Sequence, residues 1–97
     1  MPTYITLWKF TQKGRANVQE SPNRVRAAKA MLEKKGGQVL GVWYTLGEYD
    51  LVTVSEGPDD QTATLVTLGI TRQGNVTSLT LRAFTEQEFT QIVGALS

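Results

Sequence analysis

The tetrapeptide Gly47-Glu48-Tyr49-Asp50 lies between two apolar, β-branched segments and constrains the fold more than any other part of the chain. Glycine adopts positive φ without steric cost, and a Gly-X pair suits the tight turn of a β-hairpin. We therefore predict a hairpin of two strands, residues 38–46 and residues 50–56. Gly47 and Asp50 are interpreted as structural residues of the turn, because a carboxylate there can accept hydrogen bonds from turn N–H groups.

Two further strands and a long helix are predicted from local signals. Residues 4–11 and 76–83 are rich in β-branched and aromatic residues that alternate, as is typical of strands. Ser21 followed by Pro22 is typical of a helix N-cap and first position. Gly36-Gly37 is expected to end this helix, since glycine favours the residue just past a helix C-terminus.

Two more helices are predicted in the second half of the chain. Residues 58–60, Pro-Asp-Asp, begin one of them with two acids in a favourable position, and Gly74 follows its end. Thr85 and Glu88 have the spacing of a capping box, which indicates a short C-terminal helix. Asp59 and Asp60 are interpreted as acids at a helix N-terminus, with no metal site.

The predicted order is strand, helix, strand, strand, helix, strand and short helix within a single domain of residues 1–97. Two right-handed βαβ units placed side by side predict an α+β, ferredoxin-like βαββαβ sandwich. The expected strand order is 4-1-3-2, with both long helices on the same face of the sheet.

Composition excludes several classes of function. The chain has no cysteine and no histidine, which excludes disulfides, thiolate nucleophiles, Ser-His catalysis and His-ligated metals. A net charge of +1 gives no electrostatic reason to expect nucleic acid or an acidic membrane surface as a partner. We expect no cofactor and no metal. Without a signal peptide or an apolar run of ~20 residues, a cytoplasmic protein is expected.

Strand alternation divides the side chains of the predicted sheet between two faces. An aliphatic set suits packing against the helices: Ile5, Leu7, Leu40, Val42, Val52, Val54, Leu79 and Leu81. The other set mixes aromatic residues, hydroxyls and an arginine: Tyr4, Thr6, Trp8, Phe10, Gly41, Trp43, Thr45, Tyr49, Leu51, Thr53, Ser55, Ser78, Thr80 and Arg82. We predict that this second set lies on a face without helices.

We expect the face with the aromatic residues to be buried against another element or another molecule. Its aromatic residues can bury ~150–250 Å² each, which together exceeds the ~300–600 Å² apolar patch that a monomer usually exposes. A second copy related by a two-fold axis is the simplest cover, so a homo-oligomer is expected. The aromatic residues either fill that interface or line a small-molecule cavity between two sheets. The candidates for such a pocket are Tyr4, Trp8, Trp43, Thr45, Tyr49 and Arg82. Four of them are expected at one edge of the sheet: Tyr4, Thr45, Tyr49 and Arg82.

The sequence resembles the GYD domain family, small bacterial proteins of unknown function. The resemblance is carried by Tyr4-Ile5-Thr6-Leu7, Ser21-Pro22, Gly36-Gly37, Gly47-Glu48-Tyr49-Asp50, Pro58-Asp59-Asp60 and Thr80-Leu81-Arg82-Ala83-Phe84-Thr85. It implies a ferredoxin-like domain of the dimeric α+β-barrel kind. Two alternative functions stay open: a cofactor-free enzyme, monooxygenase-like or isomerase-like, that acts on a small aromatic or lactone substrate, and a regulatory domain that binds a small molecule.

Overall fold

A computed structural model describes residues 1–96. The strands are β1 (Thr3–Phe10), β2 (Gln38–Tyr44), β3 (Leu51–Glu56) and β4 (Val76–Ala83). The helices are α1 (Gln12–Ala16), α2 (Ser21–Lys34), α3 (Asp60–Thr71) and α4 (Glu86–Gly94). Neighbouring strands are antiparallel in the order β2-β3-β1-β4. This α+β fold with a four-stranded antiparallel sheet is compatible with the predicted ferredoxin-like arrangement.

Side-chain caps define the starts of the last two helices. The Asp59 carboxylate accepts a hydrogen bond from Thr62 N at 2.7 Å before α3. At the start of α4, Glu88 N donates to Thr85 Oγ1 at 3.1 Å and Thr85 N donates to Glu88 Oε1 at 2.8 Å. These paired bonds satisfy N–H groups that a helix leaves free, so the predicted capping box is confirmed.

The start of α2 differs from the prediction. Ser21 is the first helical residue, and Glu20 occupies the N-cap position without a side-chain cap. The Ser21 hydroxyl is buried and shares a 2.9 Å hydrogen bond with the Tyr44 hydroxyl, which ties α2 to β2. The preceding residues form α1 and a 3-10 turn at Val18–Glu20. A tertiary contact has therefore replaced the local cap.

A β-bulge interrupts the pairing of β2 with β3. Val39 pairs with Ser55, whereas Gly41 pairs with Val54, so Leu40 is an extra residue in β2. A bulge of this kind changes which side chains of the strand point to each face of the sheet. A Cβ at Gly41 would lie 2.4 Å from the Trp43 ring, so a side chain there would require this exposed ring to move.

The core lies between the sheet and the two long helices. Trp8, Leu51 and Val76 are buried there, and Val25 of α2 and Ile70 of α3 pack against them. No helix within residues 1–96 is long and apolar enough to cross a membrane.

Candidate functional site

Tyr4 and Trp8 of the aromatic set lie beneath the helices, so their predicted placement on an open face is wrong. Tyr4 is 5% exposed and Trp8 is 7% exposed. Both line the space between the sheet and α2 and α3. The hydroxyls of this set pair locally, because Trp8 Nε1 donates to Thr53 Oγ1 at 3.0 Å and the hydroxyls of Thr6 and Thr80 lie 3.2 Å apart. Such pairing allows polar side chains to be buried beside the aromatic rings.

Most of the aliphatic set lies on the opposite face, which no helix covers within the part of the chain that the structure describes. We call this surface the open face. Strand register and alternation assign to it the apolar residues Ile5, Leu7, Trp43, Val52, Val54, Leu79 and Leu81. Leu40, the bulge residue, is 51% exposed. Leu79 and Leu81 are 47% and 46% exposed. The bulge explains two exceptions: Trp43 remains on the open face, and Val42 packs on the helix side.

The predicted pocket residues are divided between the two ends of the sheet. Because β1 and β3 are antiparallel, Thr3 at the start of β1 pairs with Glu56, and Trp8 pairs with Leu51 at the start of β3. Tyr4 and Arg82 therefore lie at one end of the sheet. The hairpin turn with Thr45 and Tyr49 lies at the other end of the sheet, beyond Trp8. At the usual rise along a strand, Trp8 is ~13 Å from Tyr4. The prediction that Tyr4, Thr45, Tyr49 and Arg82 cluster at one edge is therefore wrong. The role of the six candidates in ligand binding stays a prediction.

Tyr4, Asp60 and Arg82 form a small polar cluster at the first end of the sheet. The Tyr4 hydroxyl donates to Asp60 Oδ1 at 2.6 Å, and Arg82 Nε lies 4.0 Å from the same oxygen. The Arg82 guanidinium also lies 5.8 Å from the centre of the Tyr4 ring and 4.8 Å from that of Phe84. These contacts connect the start of α3 to β1 and β4.

The electrostatics of this cluster keep the tyrosine neutral. Burial, followed by the hydrogen bond to Asp60 and the charge of Asp60, raises the pKa of Tyr4 to about 12. Arg82 opposes this shift through its positive charge but does not reverse it. A phenol with so high a pKa is a weak proton donor at neutral pH, so the cluster is better suited to binding or stability than to acid–base chemistry.

Asp60 is the cluster residue that the sequence analysis missed as a tertiary contact. A helix N-terminus needs only one capping acid, and Asp59 supplies it. The second of two adjacent acids at a helix start is then free to contact another element. The two adjacent acids at the helix start were the only indication in the sequence that Asp60 contacts another element. They do not identify Tyr4 as its partner.

The hairpin turn extends the pairing of β1. The Asp50 carboxylate accepts a hydrogen bond from Phe10 N at 2.9 Å, and Asp50 N donates to Trp8 O at 2.8 Å. Gly47 has a φ of 108°, which strongly favours glycine. The Asp50 carboxylate thus lies on β1 at the opposite end of the sheet from Arg82, where it supports the backbone.

A cavity of about 260 Å³ lies between the sheet and helices α2 and α3. Its lining is mainly apolar and includes Trp8, Val25, Met31, Leu51 and Ile70. Polar side chains also line the cavity, among them Asn23, Arg24, Lys29, Gln73 and Asn75. The cavity therefore offers space for an apolar group, with polar and charged side chains in its lining. The same residues contain no cluster of three or more carboxylates that can hold a metal ion.

The C-terminal helix carries a second uncovered apolar surface. Phe89, Ile92 and Val93 of α4 are 57%, 49% and 44% exposed, and Leu96 just beyond the helix is 77% exposed. The other long helices each bury apolar residues against the sheet, whereas α4 has no buried residue. An amphipathic helix in water normally packs its apolar face against another element.

A family model described as the GYD domain matches residues 4–93. This chain belongs to the GYD domain family. The resemblance inferred from the motifs is therefore confirmed over nearly the whole chain. Two uncovered apolar surfaces, the open face and α4, are then features of a GYD domain protein.

Two relatives from Thermus thermophilus are similar to this GYD domain protein. One is named "Glutamine synthetase and cystathionine beta-lyase binding protein" and is 33% identical over 84 residues, covering 86% of this chain and 88% of the relative. The other is the crystal structure of TTHA0845, with a TM-score of 0.53 and 29% identity over 87% of this chain and 94% of that one. The structural match supports the α+β fold with an antiparallel sheet.

Proposed function

We propose that this GYD domain protein is a homo-oligomeric interaction module of the ferredoxin-like, dimeric α+β-barrel type, in which the open face forms the subunit interface. The observation that carries the proposal is a sheet face whose central rows are aliphatic side chains without a covering helix in residues 1–96. Burial of apolar surface contributes about 25 cal/mol per Å², so water contact with this face is unfavourable.

Strand pairing places the aliphatic residues in contiguous rows across the open face. Leu7 pairs with Leu79 on one side and Val52 on the other, while Ile5 pairs with Leu81 and Val54. The result is two rows of three aliphatic side chains that run across β3, β1 and β4. The largest contiguous apolar patch on a protein surface is typically ~300–600 Å² and is often an interaction site.

A pair of charge substitutions tests this interface. Leu81→Glu places a carboxylate on the open face, whereas Leu68→Glu places one on α3, where Leu68 is 59% exposed. We expect sedimentation analysis to show that Leu81→Glu is monomeric and that Leu68→Glu keeps the mass of the wild-type assembly, because an unpaired charge is costly to bury. An unchanged assembly for Leu81→Glu, with circular dichroism showing both variants folded, contradicts the proposal.

Binding to metabolic enzymes is a second candidate function. A relative of similar length is named as a binding protein for glutamine synthetase and cystathionine β-lyase. We propose that this chain also binds an enzyme of amino-acid metabolism. Biolayer interferometry tests this proposal, with the chain immobilised and purified glutamine synthetase or purified cystathionine β-lyase in solution. We expect the chain to bind at least one of the two enzymes. No saturable binding to either, up to about 100 µM, a concentration that detects affinities of about 6 kcal/mol or better, contradicts this proposal.

A further inference from the structure

The C-terminal helix points away from the body of its own chain. Thr85 has an extended backbone with φ −64° and ψ 161°, and its capping box fixes the first turn of α4. Only Phe84 and Thr85 separate the end of β4 from the start of the helix. The molecule measures 53 × 31 × 18 Å, and its longest dimension is about twice the ~27 Å of an eight-residue strand. A short linker with a fixed cap holds α4, and no residue of this helix is buried against its own chain.

The open face alone is a small interface. Four strands ~4.8 Å apart and about six residues long, at ~3.4 Å per residue, give a footprint of roughly 400 Å². A stable interface buries about 800 Å² of accessible surface on each partner, which is more than this flat footprint. A helix nine residues long has ~14 Å of length and a width of ~10 Å. A dimer that also buries one face of α4 on each copy therefore has a larger footprint, roughly 540 Å² per partner.

We propose that the two copies exchange their C-terminal helices: α4 of one copy packs its apolar face on the open face of the other, beside β4. This inference rests on the proposed homo-oligomer and adds the element that completes its interface. The occupant is a second copy because the same chain supplies both uncovered surfaces, and two-fold symmetry then covers both at once. Phe89, Ile92 and Val93 become the buried residues of the exchanged helix.

Disulfide cross-linking tests the exchange directly, because the chain has no cysteine of its own. An affinity-tagged Ile92→Cys chain is mixed with an untagged chain that carries Leu7→Cys, Val54→Cys or Leu81→Cys on the open face. A matched control chain carries Leu68→Cys, an exposed position on α3. After subunit mixing and mild oxidation, we expect a tagged–untagged cross-link for at least one open-face position, at several times the yield of the Leu68→Cys control.

Two results overturn the exchange. One is cross-linking no greater than that of the Leu68→Cys control at all three open-face positions. The other is a disulfide within one chain when Ile92→Cys and an open-face cysteine are combined, which shows that α4 folds onto its own sheet. The mass of the wild-type protein separates the two levels of inference. A dimer without the cross-link removes only the exchange, whereas a monomer removes the proposed interface as well.

A charge on α4 of the full-length chain gives an independent measurement. Ile92→Glu alters the apolar face of α4 at a residue that is 49% exposed in the single chain. We expect its dimer dissociation constant, measured by sedimentation, to rise at least tenfold above that of the wild type. An unchanged dissociation constant contradicts a role of α4 in the interface.

Discussion

Tyr4 connects a buried aromatic ring to the charged start of α3 through its hydroxyl. Its hydrogen bond to Asp60 is 2.6 Å long, and the ring itself is buried under the helices. Because the folded state stabilises the neutral phenol, the pKa of Tyr4 rises from 10.0 to about 12. A raised pKa of an acid means that the folded state holds the proton more tightly than the unfolded chain does. The stabilising effect is complete below pH 10 and is lost as the pH rises towards 12.

Tyr4→Phe tests this linkage. The variant lacks the ionisable group, so its free energy of unfolding is expected to fall less steeply between pH 10 and pH 12 than that of the wild type. At neutral pH the loss of the hydrogen bond to Asp60 is expected to cost about 0.5–1.5 kcal/mol. Urea titrations at neutral pH and between pH 10 and pH 12 measure the two effects, with Tyr49→Phe as the matched control. Equal slopes for Tyr4→Phe and the wild type contradict the assigned pKa.

At the scale of elements, the hairpin turn depends on the backbone of Gly47. No atom lies within 4 Å of the position where a Cβ would be, so substitution introduces no clash, and only the φ of 108° opposes it. Gly47→Ala is expected to destabilise the protein by about 1–3 kcal/mol. Gly94→Ala is the control, because Gly94 also has open space around it but lies in a helix with ordinary φ. Equal melting temperatures for the two variants would show that the turn tolerates a side chain.

The cap of α4 is expected to act on that helix alone. Since α4 buries no residue in its own chain, loss of the Thr85 cap frays the helix without unfolding the core. Thr85→Ala is expected to cost about 0.5–2 kcal/mol of helix stability, which speeds hydrogen exchange of the α4 amides by roughly 2- to 30-fold. Thr90→Ala, in the same helix but outside the cap, is the control. A similar acceleration in the core strands would show that α4 is coupled to the core.

Local signals predicted most of the elements, because each signal depends on neighbours in sequence. The Gly47 turn, the Asp59 and Thr85 caps and the alternation of β4 are of this kind. The face of the sheet that the helices cover depends on tertiary packing. Hydrophobicity predicted the wrong face, because hydrogen bonds between side chains made the face with Trp8 suitable for burial. The contact of Asp60 with Tyr4 links residues 56 positions apart, beyond the reach of any local pattern.

In the whole molecule, helices cover one face of the sheet and leave the other face uncovered within residues 1–96. α2 and α3 bury Tyr4 and Trp8, while the open face and α4 leave two apolar surfaces in contact with water. These two surfaces belong to the same chain, so one symmetric contact can cover both. This arrangement favours a protein that works as an assembly.

The mass of the wild-type protein in solution tests the central claim most directly. Sedimentation equilibrium is measured over a dilution series from about 100 µM to 1 µM, the range that detects association free energies of about 6–8 kcal/mol. We expect a mass of at least twice the 10.7 kDa of one chain at the higher concentrations. A mass of 10.7 kDa throughout the series would contradict the account, because it would show that the open face remains uncovered in solution.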